Sequence, residues 1–119
     1  MRRMIVNMGL ESKRCVPCEG GMPKLGVDDV ALLLEQVLGW EAKDDRIHKT
    51  FRFPDFVAAM AFLSRVADVA EAEGHHPDFC VHYSRVDFTI WTHAASGLTE
   101  NDFILAAKID LAAKIDRLV

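Results

Sequence analysis

The chain has 119 residues, half of them hydrophobic and 27% charged, with a formal net charge of −4. That length suits one domain around a single core, and that apolar fraction excludes an intrinsically disordered chain. Mild acidity argues against a nucleic-acid binder working through a basic surface. No apolar run approaches the ~18 residues of a membrane span, so neither nucleic acid nor membrane is an expected partner.

Residues 1–26 read as an irregular N-terminal segment, punctuated by Pro17, Gly20, Gly21, Pro23 and Gly26 and carrying the pair Cys15-x-x-Cys18. Residues 27–119 read as a single domain. Three cysteines are an odd number, which does not suit the disulfide framework of a secreted domain. The apolar run after Met1-Arg2-Arg3 breaks at Asn7, too soon for a signal-peptide core. A cytoplasmic protein with reduced thiols is expected, with Met1, Met4 and Met8 all candidate starts.

A first helix is predicted from Asp28 to Leu38, with Asp28 and Asp29 at its positive end and Val30, Leu33, Leu34, Val37 and Leu38 as its apolar stripe. Gly39 is a natural stop. A hairpin follows, with strands Trp40–Lys43 and Arg46–Phe53 around an Asp44-Asp45 turn. In the second strand Ile47, Phe51 and Phe53 share one face, and Lys49 is the exception to the alternation. A helix then runs from Pro54 to about Glu73. Its stripe is Phe56, Met60, Leu63, Ala67 and Ala70, flanked by Phe62, Val66 and Val69, and Gly74 ends it.

The next hairpin alternates Phe79, Val81 and Tyr83 with Cys80 and His82, then Val86, Phe88 and Ile90 with Asp87, Thr89 and Trp91. A two-residue turn is predicted at Ser84-Arg85. Thr99-Glu100-Asn101-Asp102 opens the last helix as a capping box with Asp in place of the usual Glu, and Phe103, Ala107, Leu111, Ile115 and Leu118 form its stripe. The order α-β-β-α-β-β-α predicts an α+β domain of two layers, a four-stranded antiparallel sheet with helices packed on one face. Such a sheet leaves edge strands that pairing with a second copy would protect.

Five histidines are present, and four of them (His75, His76, His82, His93) fall within 19 residues. A turn at 84–85 pairs Val81 with Phe88 and His82 with Asp87. Extended beyond Pro77, that register sets His76 opposite His93. His75 follows Gly74 at a helix C-terminus, where the dipole favours imidazolium, and Glu71 one turn earlier is positioned to accept its hydrogen bond. An imidazole titrating near neutrality is a competent general acid. A single histidine is more often structural than catalytic, but three converging imidazoles are uncommon without a purpose. His82 reads as a surface ion-pair partner of Asp87, and His48 as a solvated side chain. Asp102 has a complete structural explanation as the capping partner of Thr99. Trp91 suits a pocket wall or an interface. The Cys15-x-x-Cys18 pair reads chiefly as an ordered turn. Half a zinc site completed by Cys80 and His82, or a redox pair, are the alternatives, and no metal is expected.

The run Glu71, His75-His76-Pro77, Tyr83, His93, Asp102, in this spacing, resembles the signature of the pterin-4a-carbinolamine dehydratases. The segment HHPDFCVHYSRVDFTIWTHAASGLTENDF, Trp40, the Phe51–Phe56 junction and CVPCEGGMPKL are similar to that family too, so the likeness covers roughly residues 13–118. The resemblance implies an antiparallel sheet with helices on one side and self-association into dimers or tetramers. It implies dehydration of 4a-hydroxytetrahydrobiopterin to quinonoid dihydrobiopterin, with no metal or organic cofactor. It implies His75 and His93 as acids for the leaving hydroxyl and His76 as a pterin ligand that helps at N5. Glu71 would orient His75, and Pro77, Trp91 and Asp102 would bind or orient. The same family includes a dimerisation cofactor of a homeodomain transcription factor, so a protein-interaction module is the alternative class. A relative linked to molybdopterin metabolism is a further one.

Overall fold

The turns dictate the sheet. In the computed structural model, which describes residues 9–17 and 23–117 (side chains to residue 114), Asp44 and Asp45 have φ of 55° and 60°. Two consecutive positive φ values make the tight turn whose twist matches paired strands, and Asp tolerates that region better than most residues. Strand β1 (Glu41–Lys43) therefore folds back onto β2 (Arg46–Arg52), with Glu41 opposite His48 and Lys43 opposite Arg46. The second hairpin joins β3 (Asp78–His82) to β4 (Arg85–Ile90). Its turn is Tyr83-Ser84, with Tyr83 at φ 56°, one residue earlier than predicted. Val81 thus faces Val86 and Phe79 faces Phe88, a register shifted by two from the expected one. A shift of two keeps the paired strand residues on their predicted faces while the pairs change, but Tyr83, expected on the apolar face of the strand, is in the turn and 68% exposed.

All four strands are antiparallel in the order β1-β2-β4-β3, leaving β1 and β3 as edges. Helices α1 (Val27–Leu34), α2 (Phe56–Glu73) and α3 (Glu100–Arg117) complete the α+β domain. The expected α-β-β-α-β-β-α order and four-stranded antiparallel sheet are borne out. Helix α1 ends at Leu34 rather than Leu38. Tighter turns continue to Val37, which is buried, and Leu38 points outward at 79% exposure. Helix α2 starts after Asp55, whose carboxylate accepts from the Ala58 N–H at 2.8 Å, so Pro54 precedes the cap instead of opening the helix.

The buried face of α2 is Ala59, Phe62, Leu63, Val66 and Ala70, one position round from the predicted stripe, and Phe56 and Met60 are exposed. The helical period was correct. Its phase was decided by Phe62, whose ring lies 5.2 Å from Phe51, 4.8 Å from Phe53 and 5.8 Å from Phe88. Burying such a ring is worth about 2–3 kcal/mol, enough to choose between two apolar faces of one helix. Helix α3 packs against α2 on one side and a short 3₁₀ turn (Leu10–Ser12) on another. It is consequently buried on all sides from Asn101 to Ala107, while Leu111 of its predicted stripe is half exposed. Ile115 and Leu118 lie outside the described side chains.

Lys49, the polar exception on the inner face of β2, is paired. Its Nζ donates to Asp110 of α3 at 2.8 Å and to the Leu38 carbonyl at 3.1 Å, and Trp40 Nε1 donates to the same carboxylate. A half-buried cation is tolerated because its partners come with it.

Candidate functional site

Gly74 takes φ 67°, a left-handed conformation that costs glycine little and ends α2. The chain then turns so that His75 points toward the first turn of α3. There its Nε2 lies 2.7 Å from Asp102 Oδ1, with the histidine side chain 11% exposed and the aspartate fully buried. Asp102 Oδ2 accepts from the Thr99 N–H and from the Thr92 hydroxyl, both at 2.8 Å. The Thr92 proton is committed to Asp102, so the Thr99 hydroxyl donates to Thr92 across their 2.9 Å contact. Three donors converge on one buried carboxylate, which as an anion has only acceptor sites to offer. His75 therefore donates through Nε2, and its Nδ1 is the nitrogen left to exchange a proton.

The expected Glu71–His75 bond is not made. Glu71 Oε2 instead meets His76 Nε2 at 2.7 Å, with both side chains largely exposed. Helix α2 ends between Glu71 and His75, so the one-turn spacing no longer describes their geometry. His93 lies in a 3₁₀ turn (His93–Ala95) rather than in an extended β4, and it does not oppose His76 as predicted. The observed register would align His76 with Trp91. The His93 ring instead stacks on Trp91, centroids 3.9 Å apart, and the Arg46 guanidinium lies 4.1 Å from the Trp91 ring.

These elements enclose a cleft of about 360 Å³ lined by His75, His76, Pro77, Trp91, Thr92 and His93. Of the residues singled out from sequence, all three histidines, Pro77 and Trp91 line it, while Glu71 and Asp102 stand behind His76 and His75. Sequence reasoning missed Thr92, Thr99 as a donor within the network, and Arg46. Thr92 carried no signal, because its role depends on a carboxylate ten residues away. The cleft's neighbour, about 180 Å³, is walled by Leu63, Val66, Ala67 and Phe79 and shares His76 and Pro77 with it. A separate cleft of about 330 Å³ lies beside Lys49 and Asp110 and has no histidine in its lining. Burial pushes the Asp110 carboxyl above its ordinary value, against the pull of Lys49 and Trp40.

His82 lies 3.8 Å from Asp87, as expected of a surface pair, although its cross-strand partner is Arg85. His48 is half-buried and bonded to the Thr89 hydroxyl at 3.1 Å, not freely solvated. Cys15 is half-buried, Cys80 is exposed and Cys18 lies outside the described residues. Among the described residues no group of three or more His, Cys, Asp or Glu side chains is arranged to hold a metal ion. Nor does any described helix have the length and apolarity to cross a membrane.

Behind the site, Glu73 Oε1 accepts from the Cys15 N–H at 2.7 Å, and Oε2 pairs with Arg14 at 3.0 Å and Lys108 at 3.6 Å. Burial opposes ionisation of Glu73, but the Cys15 N–H, Lys108 and Arg14 hold its carboxyl below the ordinary 4.5. As pH falls, protons bind the unfolded chain first, so the stability that Glu73 contributes is complete above about pH 4.5 and declines through the lower native pKa. Urea unfolding of wild type and Glu73→Gln between pH 7 and pH 3 is expected to show a gap that narrows only in the acid. A gap that is constant over the range would contradict this.

Comparison with known proteins gives a consistent result. The family described as pterin 4 alpha carbinolamine dehydratase matches residues 23–117. A Rubrobacter xylanophilus relative, provisionally named as such a dehydratase, is 44% identical over 102 residues, 85% of this chain and 95% of its own length. A Nitrosomonas eutropha relative with the same provisional name is 48% identical over 105 residues, 86% of this chain and 91% of its own. Among solved structures, a Brucella melitensis transcriptional coactivator/pterin dehydratase is similar with TM-score 0.73 and 35% identity, covering 76% of this chain and 98% of that one. A pterin dehydratase-like RuBisCO assembly factor of the alpha-carboxysome is similar with TM-score 0.53 and 28% identity, covering 62% and 86%.

Proposed function

We propose that this chain, which belongs to the pterin 4 alpha carbinolamine dehydratase family, dehydrates 4a-hydroxytetrahydrobiopterin by histidine acid–base catalysis, in the recycling of tetrahydrobiopterin. The observation that carries the reading is the convergence of His75, His76 and His93 on one cleft of about 360 Å³, a volume suited to a small bicyclic ring.

The substrate carries a hydroxyl on C4a beside N5–H. Loss of water breaks the C4a–O bond, forms the C4a–N5 double bond and releases the N5 proton. One group must give a proton and another must take one, and imidazoles titrating near neutral pH do both. His93, which has no hydrogen-bonded carboxylate among the described residues, and His75, through Nδ1, deliver the proton to the departing hydroxyl. The buried Asp102 fixes the ring orientation and tautomer of His75, as a carboxylate behind a histidine does elsewhere. His76, held by Glu71, binds the pterin edge and receives the N5 proton. Pro77 supplies apolar surface beside the ring, and Trp91 orients the cleft by holding the His93 imidazole stacked against it.

Stopped-flow dehydration of the synthetic carbinolamine is the test. The wild type is expected to accelerate water loss well above the buffer rate, and a protein that leaves that rate unchanged overturns the reading. Self-association is part of the same reading, because β3 is an open edge strand and its Phe79 is 49% exposed. Light scattering checks it against a monomer at micromolar concentration. The second reading, an interaction module, draws on the likeness to proteins named as a coactivator and as an assembly factor. It predicts a function that survives loss of the three histidines.

A further inference from the structure

His75 and Asp102 lie 27 residues apart in the chain and on different elements. His75 follows the last residue of α2 by two positions, and Asp102 is the third residue of α3. Their hydrogen bond is only as well set as the approach of one helix end to the other. Residues 13–16 touch both ends. Cys15 N–H and Arg14 Nε hold Glu73, the last residue of α2, at 2.7 and 3.0 Å, and Arg14 also donates to the Ala72 carbonyl at 3.1 Å. On the other side, Asn101 immediately precedes Asp102 and is 2% exposed. Its Oδ1 accepts from the Val16 N–H at 3.0 Å and its Nδ2 donates to the Val16 carbonyl at 2.7 Å, the paired pattern of a strand neighbour. Lys13 pairs with Glu100 at 2.6 Å, but both are solvent-exposed and such a pair contributes little.

We infer that residues 13–16 are a strap that sets the His75–Asp102 hydrogen bond, with Glu73 and Asn101 as positioning residues acting through it. Glu73 sits two residues before His75 and Asn101 one before Asp102, and four consecutive residues of the strap join them. A buried, doubly bonded amide and a carboxylate, itself 6% exposed, that accepts a backbone N–H at 2.7 Å are firmer attachments than exposed side-chain pairs. A displacement at either end reaches the imidazole directly. Misplacement of a reacting group by about 1 Å can cost on the order of 100-fold in rate.

The kinetic part of the test rests on the proposed reaction, while the spectroscopic part does not. In the full chain, the imidazole N–H resonance of His75, identified by its loss in His75→Gln, is expected to exchange with water at least about tenfold faster in Asn101→Ala and in Glu73→Gln, with far-UV circular dichroism unchanged. Dehydration by Asn101→Ala is expected to lose about tenfold in kcat with KM within about twofold. Combined with Asp102→Asn it should lose nothing further, since both changes act through one pair. Where Asn101→Ala does not fold, Asn101→Asp, which keeps the acceptor for Val16, carries the same measurements. An unchanged His75 N–H exchange rate in folded variants, or a kcat loss that adds to that of Asp102→Asn, overturns the strap. A wild type without dehydratase activity overturns the reaction, and the exchange measurement still decides on the strap.

Discussion

Replacement of His93 by alanine is expected to lower kcat for carbinolamine dehydration by about 100- to 10,000-fold, the range a positioned general acid supplies, with almost no change in thermal stability. The separation of these effects follows from the surroundings of the side chain. His93 is exposed, and its ring contact is with Trp91 at 3.9 Å, so little of the fold depends on it. His75→Ala is expected to lose a similar factor but also to destabilise the protein, because it leaves the buried Asp102 without one of three donors. Stopped-flow kinetics with parallel thermal melts distinguishes the two. Full activity in either variant would remove that histidine from the chemistry.

Asp102 should give the largest loss of stability among the site residues. Asp102→Ala strips partners from His75, Thr92 and the Thr99 N–H in an environment with no exposure, a loss of about 3–5 kcal/mol. Asp102→Asn keeps the volume. An amide can accept through one oxygen, but its NH₂ would face a ring nitrogen that must then accept, which moves the proton of His75 to Nδ1. The neutral imidazole then presents the wrong tautomer to the cleft, and kcat is expected to fall by up to about 10⁴-fold with a smaller change in stability. Urea unfolding and kinetics on both variants measure this. Equal stability loss in the two variants would show that the network is held by shape and not by the charge of the carboxylate.

The conflict at Asp102 between a capping role and a site role dissolves in the structure. The Thr99 N–H is held by Oδ2 as a capping box requires, and Oδ1 remains for His75. One carboxylate has enough acceptor sites to start α3 and hold a histidine at once. The capping motif, which looked like a competing explanation, delivers the carboxylate to the correct position. The same economy explains Lys49. Its break in the β2 alternation marked a half-buried ion pair with Asp110, legible as an exception but without a visible partner.

The sequence by itself determined the order of the elements, the inner faces of β2, β3 and β4 and the concentration of histidines between His75 and His93. These follow from local physics: alternation of period two, helical spacing of three and four, and the stop at Gly74. Tertiary structure decided the phase of α2, the register of the second hairpin and the partner of each histidine. A slip of two residues leaves the alternation untouched, so the sequence pattern cannot distinguish Val81 facing Val86 from Val81 facing Phe88. The choice of Asp102 for His75 and Glu71 for His76 depends on where α2 ends and how α3 approaches it. The strap of residues 13–16 and the buried Asn101 help define that approach. Contacts over 27 and 85 residues of chain leave no trace in a local repeat, because only packing brings those ends together.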